Sequence, residues 1–288
     1  MKKLFRLSLA LLAVVGLSSC GAKNEEVAEE TATSNEEVVE TTESSEPLKI
    51  GVVGENNEVW DEVIKRYEEG TGKKAELVRF SDYTQPNEAL AEGDIDVNSF
   101  QHYLFLGEYN DNQGEERLVS IGDTMLAPLG IYSSKIESID DLKEGDKIAI
   151  PNDPSNGPRS LFLLQAAGKL KVNGKPGEAI TLDDITENPL NLEFIEVDAS
   201  QTPRSLDDVT AAAINDNYAL DSGFSPTEDA IFLEDPENPD AKVYVNVIAT
   251  RKEDKDNPEY LELVEYYQTD ETKADYDKFT NGAWIPSW

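Results

Sequence analysis

An arginine just past a Ser-Asn-Gly turn, two asparagines set against apolar runs and a lone imidazole are the groups in this chain best placed to recognise a small molecule. Arg159 follows Ser155-Asn156-Gly157-Pro158, which reads as a strand-to-helix junction with the helix opening at Pro158. Free backbone N–H groups and the positive end of the helix dipole favour an anion at such a junction. A cation in the first turn opposes the dipole, so Arg159 is poorly explained by helix stability. It suits pairing with a carboxylate, either a ligand's or one of the chain's own acids. Asn215 closes the run Ala211-Ala212-Ala213-Ile214, and Asn246 interrupts Val243-Tyr244-Val245-Asn246-Val247-Ile248. A buried amide must be hydrogen-bonded or cost a few kcal/mol, so each faces a backbone partner or a polar ligand. His102 is the only histidine and follows an expected strand end, where open α/β sheets bind ligands.

These groups suit recognition, and little else in the chain suits catalysis. One Cys and one His exclude an internal disulfide, zinc sites built on several His or Cys, and His-Glu-x-x-His proteases. Neither a Gly-x-Ser-x-Gly elbow nor a phosphate-binding loop ending in Gly-Lys-Ser/Thr occurs. Asn110-Asp111-Asn112-Gln113-Gly114 lacks the spacing of a calcium loop and reads as a polar turn. With 59 acidic residues, close carboxylate pairs arise by chance and do not identify a glycosidase. No metal or cofactor is expected. A formal net charge of −34 argues against nucleic acid and anionic lipid as partners.

The elements that must position these residues alternate between strand and helix. Residues 49–53 read as a buried strand, and residues 58–67 place Val59, Trp60, Val63, Ile64 and Tyr67 on one helical stripe that Gly70 would end. A strand over 75–80, a short helix from Pro86 to about Gly93 and a strand over 95–100 follow. Further strands are expected at 118–121, 127–133, 147–150, 192–197, 211–214 and 243–249. Strand-helix alternation implies parallel pairing with helices on both faces, and so many strands fit two sheets better than one.

Several stretches together resemble a known family. Phe80-Ser81-Asp82-Tyr83-Thr84-Gln85-Pro86-Asn87, Asp94-Ile95-Asp96-Val97-Asn98-Ser99-Phe100-Gln101-His102 and Pro151-Asn152-Asp153-Pro154-Ser155-Asn156-Gly157-Pro158-Arg159-Ser160 are similar to motifs of the NlpA lipoproteins, the methionine-binding components of ABC importers. The match continues through Pro203-Arg204-Ser205-Leu206-Asp207-Asp208, Ala213-Ile214-Asn215-Asp216-Asn217-Tyr218 and Tyr244-Val245-Asn246-Val247-Ile248, and covers nearly all of residues 48–288. The resemblance implies an α/β, two-lobed periplasmic-binding-protein-like fold of type II, each lobe a mixed, mainly parallel sheet flanked by helices. Lobe one would comprise 48–131 plus 247–288 and lobe two 132–246, crossing near Pro128-Leu129-Gly130 and Tyr244-Val245-Asn246.

It also implies a small zwitterionic ligand in the interlobe cleft: L-methionine, or alternatively D-methionine or a Met-containing dipeptide. Arg159 would take the ligand carboxylate, and Asn215 and Asn246 its amino and carboxylate groups. Tyr83, Phe100, His102 and Phe105 would offer aromatic faces to the thioether, contacts worth about 0.3 to 1.5 kcal/mol each. The partners implied are a membrane permease with its ATPase, and the protein would act as a monomer. The chain departs from the family at Gln101-His102-Tyr103-Leu104-Phe105-Leu106, where members tend to read Gln-His-Lys-Pro-Tyr-Leu, and at Pro158, where Gly or another residue is more usual. A non-transport surface lipoprotein, an adhesin or a carboxylate-based hydrolase, is the competing class; an adhesin would not need Tyr83, His102, Arg159 and Asn246 around one enclosed pocket.

The N-terminus indicates the compartment. Lys2, Lys3 and Arg6 precede a mostly apolar stretch over residues 4–17, too short to span a bilayer, so residues 1–19 are expected to be a secretory signal peptide. Leu17-Ser18-Ser19-Cys20 resembles a bacterial lipobox, which would lipidate Cys20 and anchor the protein on the extracytoplasmic face of the cell membrane. Residues 21–47 carry nine Glu, one Lys and no aromatic residue, so residues 20–47 are expected to form an acidic tether without a core of its own.

Overall fold

The computed structural model describes residues 46–288. The expected signal peptide, the lipidation site at Cys20 and all of the expected tether except Glu46 and Pro47 lie outside the described residues. In chain order the elements are β1 (Leu48–Val53), α1 (Glu58–Thr71), β2 (Ala75–Phe80), α2 (Pro86–Glu92), β3 (Val97–His102), α3 (Tyr103–Gln113), β4 (Leu118–Leu126), β5 (Gly130–Tyr132), β6 (Lys147–Pro151), α4 (Asn156–Ala166), β7 (Lys171–Val172), β8 (Ile185–Glu187), β9 (Glu193–Val197), β10 (Ala211–Ile214), α5 (Asp216–Asp221), α6 (Pro226–Asp229), β11 (Phe232–Leu233), β12 (Val245–Arg251), α7 (Pro258–Tyr267), α8 (Asp270–Thr280) and β13 (Ile285–Pro286).

The strands form two main sheets, one per lobe, in the orders β13-β4-β12-β3-β1-β2 and β11-β5-β10-β6-β9, with β7 and β8 as a small separate pair. In the first, β1 runs parallel to β2 and β3, whereas β12 is antiparallel to β3 and β4. In the second, β6 runs parallel to β9 and β10, whereas β5 is antiparallel to β10 and β11. Parallel strands thus make up one side of each sheet, a smaller share than strand-helix alternation implies. Most antiparallel pairs arise where the chain changes lobe, because β5 and β12 enter their sheets against the direction of their neighbours; the C-terminal β13 adds one more on β4. Residues 127–129 make the first crossing, and the second runs into Val245 from a turn of 3₁₀ helix over Pro239–Tyr244.

Apolar runs become buried strands: Ile50 and Val52 of β1 and Ile148 and Ile150 of β6 are essentially inaccessible. Against β1 packs the stripe Val59, Trp60, Val63 and Tyr67 of α1, joined by Tyr260, Leu263 and Tyr267 of α7 and Tyr276 of α8. The helix passes through Gly70 and ends at Thr71; the stop is Gly72, whose φ of 77° suits a residue without a Cβ and whose N–H closes on Glu68 O. A third cluster joins Val53 of the first lobe to Tyr132, Ala212, Ile214 and Tyr218 of the second, so the lobes share apolar surface.

Two elements beside the site differ from expectation. The strand expected over 95–100 begins at Val97 and runs to His102, because Asp96 is spent on β1: its backbone N–H donates to Lys49 O and its carboxylate accepts from Lys49 N. Residues 110–113, read as a polar turn, are the end of α3, which Gly114 caps. That helix fully buries only Leu106, so no apolar stripe marks it in the sequence.

Candidate functional site

The C-terminal ends of β1, β3 and β10 and the start of β12 meet at one cavity of about 60 Å³. β1 leads to Asn56, Asn57 and Trp60, β3 supplies Phe100 and His102, β10 delivers Asn215, Asp216 and Asn217, and α4 contributes Arg159. The register between β12 and β3 pairs Asn246 with His102, which brings the amide beside the imidazole. Residues from both lobes therefore line one space, at the strand ends where open α/β sheets bind ligands. Tyr83, Phe100, His102, Arg159, Asn215 and Asn246 are all among them. Phe105 stands behind the wall, its ring edge-on to Tyr83 at 5.8 Å, Phe100 at 5.7 Å and His102 at 6.3 Å.

Hydrogen bonds fix the chemical state of the imidazole. Phe105 N donates to Nδ1 of His102 at 3.1 Å, so the ring proton sits on Nε2, which donates to Asn156 Oδ1 at 3.3 Å. The same Oδ1 accepts from Asn215 Nδ2 at 3.0 Å, while Asn156 Nδ2 donates to both carboxylate oxygens of Asp153. Burial, aided by the Arg159 guanidinium, pushes His102 down to about 3, so the ring is neutral.

The junction before Arg159 is built differently from its sequence reading. α4 begins at Asn156, two residues before Pro158. Its leading donors are already used: Ser155 N and Asn156 N donate to Asp153 Oδ1, and Gly157 N donates to Asp153 O. Asp153 acts here as the anion that the helix start was expected to draw from a ligand. Pro158 fits as the third helical residue because the N–H it lacks has no intrahelical acceptor.

Arg159 is 3% exposed and already paired. Its Nε donates to Glu234 Oε1 at 3.1 Å, its Nη2 donates to Glu234 Oε2 and to Ala127 O, and the guanidinium lies 4.2 Å from the centre of the Tyr244 ring. Burial alone would lower its pKa, yet Glu234, together with Tyr244 and Tyr83, turns the balance and raises it. Glu234 also accepts from Leu129 N, tying Arg159 to the crossing segment. Only the Nη1 edge of the fork carries none of these bonds.

Several polar atoms at the cavity lack partners. Asn215 Oδ1, Asp216 Oδ1 and Asn217 Nδ2 are buried without a hydrogen bond, and Asn246 makes one long bond, from Nδ2 to Tyr244 O at 3.4 Å. Burial raises the carboxyl of Asp216 to about 7, although Trp284 Nε1 donates to its Oδ2 and the positive charge of Arg159 favours the ionised form. Sequence reasoning missed Asp216, Asn217, Trp284 and Glu234. The first two continue the polar run that follows β10, a signal that was readable, whereas Glu234 lies 75 residues from Arg159 and no local pattern links them.

Bonds across the cleft hold the lobes together. Asp221 of α5 accepts from Glu55 N and Asn56 N, Tyr83 Oη donates to Asn217 Oδ1, Tyr218 Oη donates to Ser81 O, and Trp284 reaches Asp216. This is a closed arrangement.

Relatives are found along the same residues. A family model described as NlpA lipoprotein matches residues 48–288. The D-methionine-binding lipoprotein MetQ of Salmonella typhimurium is 44% identical over 244 residues, 84% of this chain and 88% of that protein. A nutrient binding protein from Burkholderia cenocepacia, solved bound to methionine, is 44% identical with a TM-score of 0.79, covering 84% of this chain and all of that one. The substrate binding protein of a methionine transporter from Streptococcus pneumoniae is 34% identical with a TM-score of 0.78, over 84% of this chain and 96% of its own. A match through both lobes and every residue that lines the cleft leaves one assignment: the chain belongs to the NlpA lipoprotein family.

Proposed function

We propose that this protein captures methionine in the interlobe cleft and delivers it to the permease of an ATP-driven importer, without catalysing a reaction. The observation that carries this reading is the convergence of unpartnered polar atoms, Asn215 Oδ1, Asp216 Oδ1 and Asn217 Nδ2, on a buried cavity with an aromatic wall. Unsatisfied groups of this kind cost about 1–3 kcal/mol each, and a polar ligand removes the cost. The names of the relatives, a MetQ lipoprotein, a methionine-bound protein and a component of a methionine transporter, support the same ligand.

In this reading Arg159 offers its remaining Nη1 edge to the ligand carboxylate, while Asn215 and Asn246 bind the polar end of the amino acid. Tyr83, Phe100 and the neutral ring of His102 face the thioether, and Phe105 buttresses them. Ligand bridging both lobes favours the closed state by its differential affinity, and the closed form docks on the permease. A hydrolase would need a second free carboxylate opposite Asp216, whereas the carboxylate nearest Arg159, Glu234, is spent on that arginine. The moving lobes are our assignment: the sequence reading of 48–131 with 247–288 and of 132–246 shifts to 48–126 with 245–288 and 130–244, so that β5 and β12 stay whole in their sheets, and the protein acts as a monomer held to the membrane by lipid on Cys20. Fractionation of a Cys20→Ala variant tests the anchor: release from the membrane supports it, and unchanged membrane retention overturns it.

Calorimetry on the stripped soluble domain tests the ligand. Heat is expected with L-methionine, and D-methionine and Gly-Met in parallel titrations rank the stereoisomer and the dipeptide. Asn246→Ala is expected to weaken binding about tenfold or more. No heat with any of the three overturns the reading.

A further inference from the structure

Asp216 has a role that the resemblance does not supply. It is 3% exposed, lines the cavity, and forms no ion pair among the described residues. Its Oδ2 accepts from Trp284 Nε1 across the cleft, and its Oδ1 is buried with no partner at all. The nearby cation does not answer it, because Glu234 already engages Arg159 through two of the three guanidinium nitrogens. Arg159 and Glu234 cancel in charge, so the polar end of the cavity is left with one carboxyl group that lacks a counter-ion. An isolated buried carboxylate is costly, and a cation brought by the ligand relieves it.

We propose that Asp216 is the receptor for the ligand's α-ammonium group, making a free amine a requirement for binding. The inference rests on the methionine reading and deepens it. An ammonium offers three N–H donors and a full charge, which fits a carboxylate oxygen without a partner. Arg159 Nη1 and Asp216 Oδ1 then bracket the two charges of a zwitterion, and Trp284 holds the carboxylate from the opposite lobe.

The alternative role for Asp216 is a mere latch to Trp284, and matched ligands separate the two. Stripped wild type and Asp216→Asn, which keeps an oxygen for the indole, are titrated with L-methionine and with 4-(methylthio)butanoate, the same molecule without its amine. Wild type is expected to bind methionine about a hundredfold tighter than the analogue. Asp216→Asn is expected to lose about thirtyfold for methionine while its affinity for the analogue stays within about twofold. Loss of both affinities in equal measure means a latch, and unchanged discrimination means no role; either overturns the proposal. Should the variant fail to fold, wild type alone decides, since equal affinity for methionine and the analogue overturns it. Absence of methionine binding by wild type overturns the methionine reading first, and this inference with it.

Discussion

Phe105 donates its backbone N–H to Nδ1 of His102, and that bond decides which nitrogen of the only imidazole carries the proton. Nitrogen NMR of the ring is expected to show the Nε2–H tautomer throughout the neutral range, with protonation deferred to about 3. A ring titrating near its ordinary value of 6.5 would overturn the buried network. Asp216 shifts the other way, from an ordinary 3.8 to about 7 in the folded protein. The sign follows: the folded state holds this proton more tightly than the unfolded chain, so its contribution to stability is full below 3.8 and is lost as pH rises through about 7. At about 1.4 kcal/mol per unit the loss amounts to a few kcal/mol in the ligand-free protein. Urea denaturation should therefore find Asp216→Asn more stable than wild type at about pH 8 and similar to it at about pH 4. The reverse order would mean that the carboxylate is ionised and satisfied without ligand.

The start of α4 shows how a residue with no side chain can hold a site together through its neighbours. A Cβ on Gly157 would lie 2.8 Å from Pro151 O, a backbone atom of β6 that cannot turn aside. Gly157→Ala is expected to cost about 1–3 kcal/mol by denaturation and to disturb the adjacent Asn156, which links His102 to Asn215. Wild-type stability in that variant would mean that the helix start is looser than drawn. The elements were legible where a local signal exists: the runs of β1, β6 and β10, and the stripe of α1, announce themselves by burial and period. α3 was not, because a helix that fully buries one side chain leaves almost no periodic trace. The same limit applies to the site. Residues at strand ends, such as His102 and Asn215, could be picked from position, but Glu234 finds Arg159 only once the second sheet has folded, and Trp284 meets Asp216 across the two lobes, 68 residues away in sequence.

Across the whole molecule, bonds between the lobes lie outside the cavity as well as inside it. Asp221 accepts from two successive backbone N–H groups of the other lobe and does not line the pocket. Asp221→Ala is expected to weaken ligand affinity about three- to tenfold through the open-closed equilibrium alone, mostly as faster dissociation. Unchanged affinity and off-rate would mean that this contact is not part of the closure energy. The pairing of Arg159 with Glu234 has a consequence for the extracytoplasmic setting proposed above. A free guanidinium in a cleft is a trap for phosphate and sulfate, which are abundant and compact. With its charge already answered by Glu234, and in a chain of 59 acidic against 25 basic residues, the guanidinium offers such anions little, so the cleft is expected to hold out for the zwitterion proposed above.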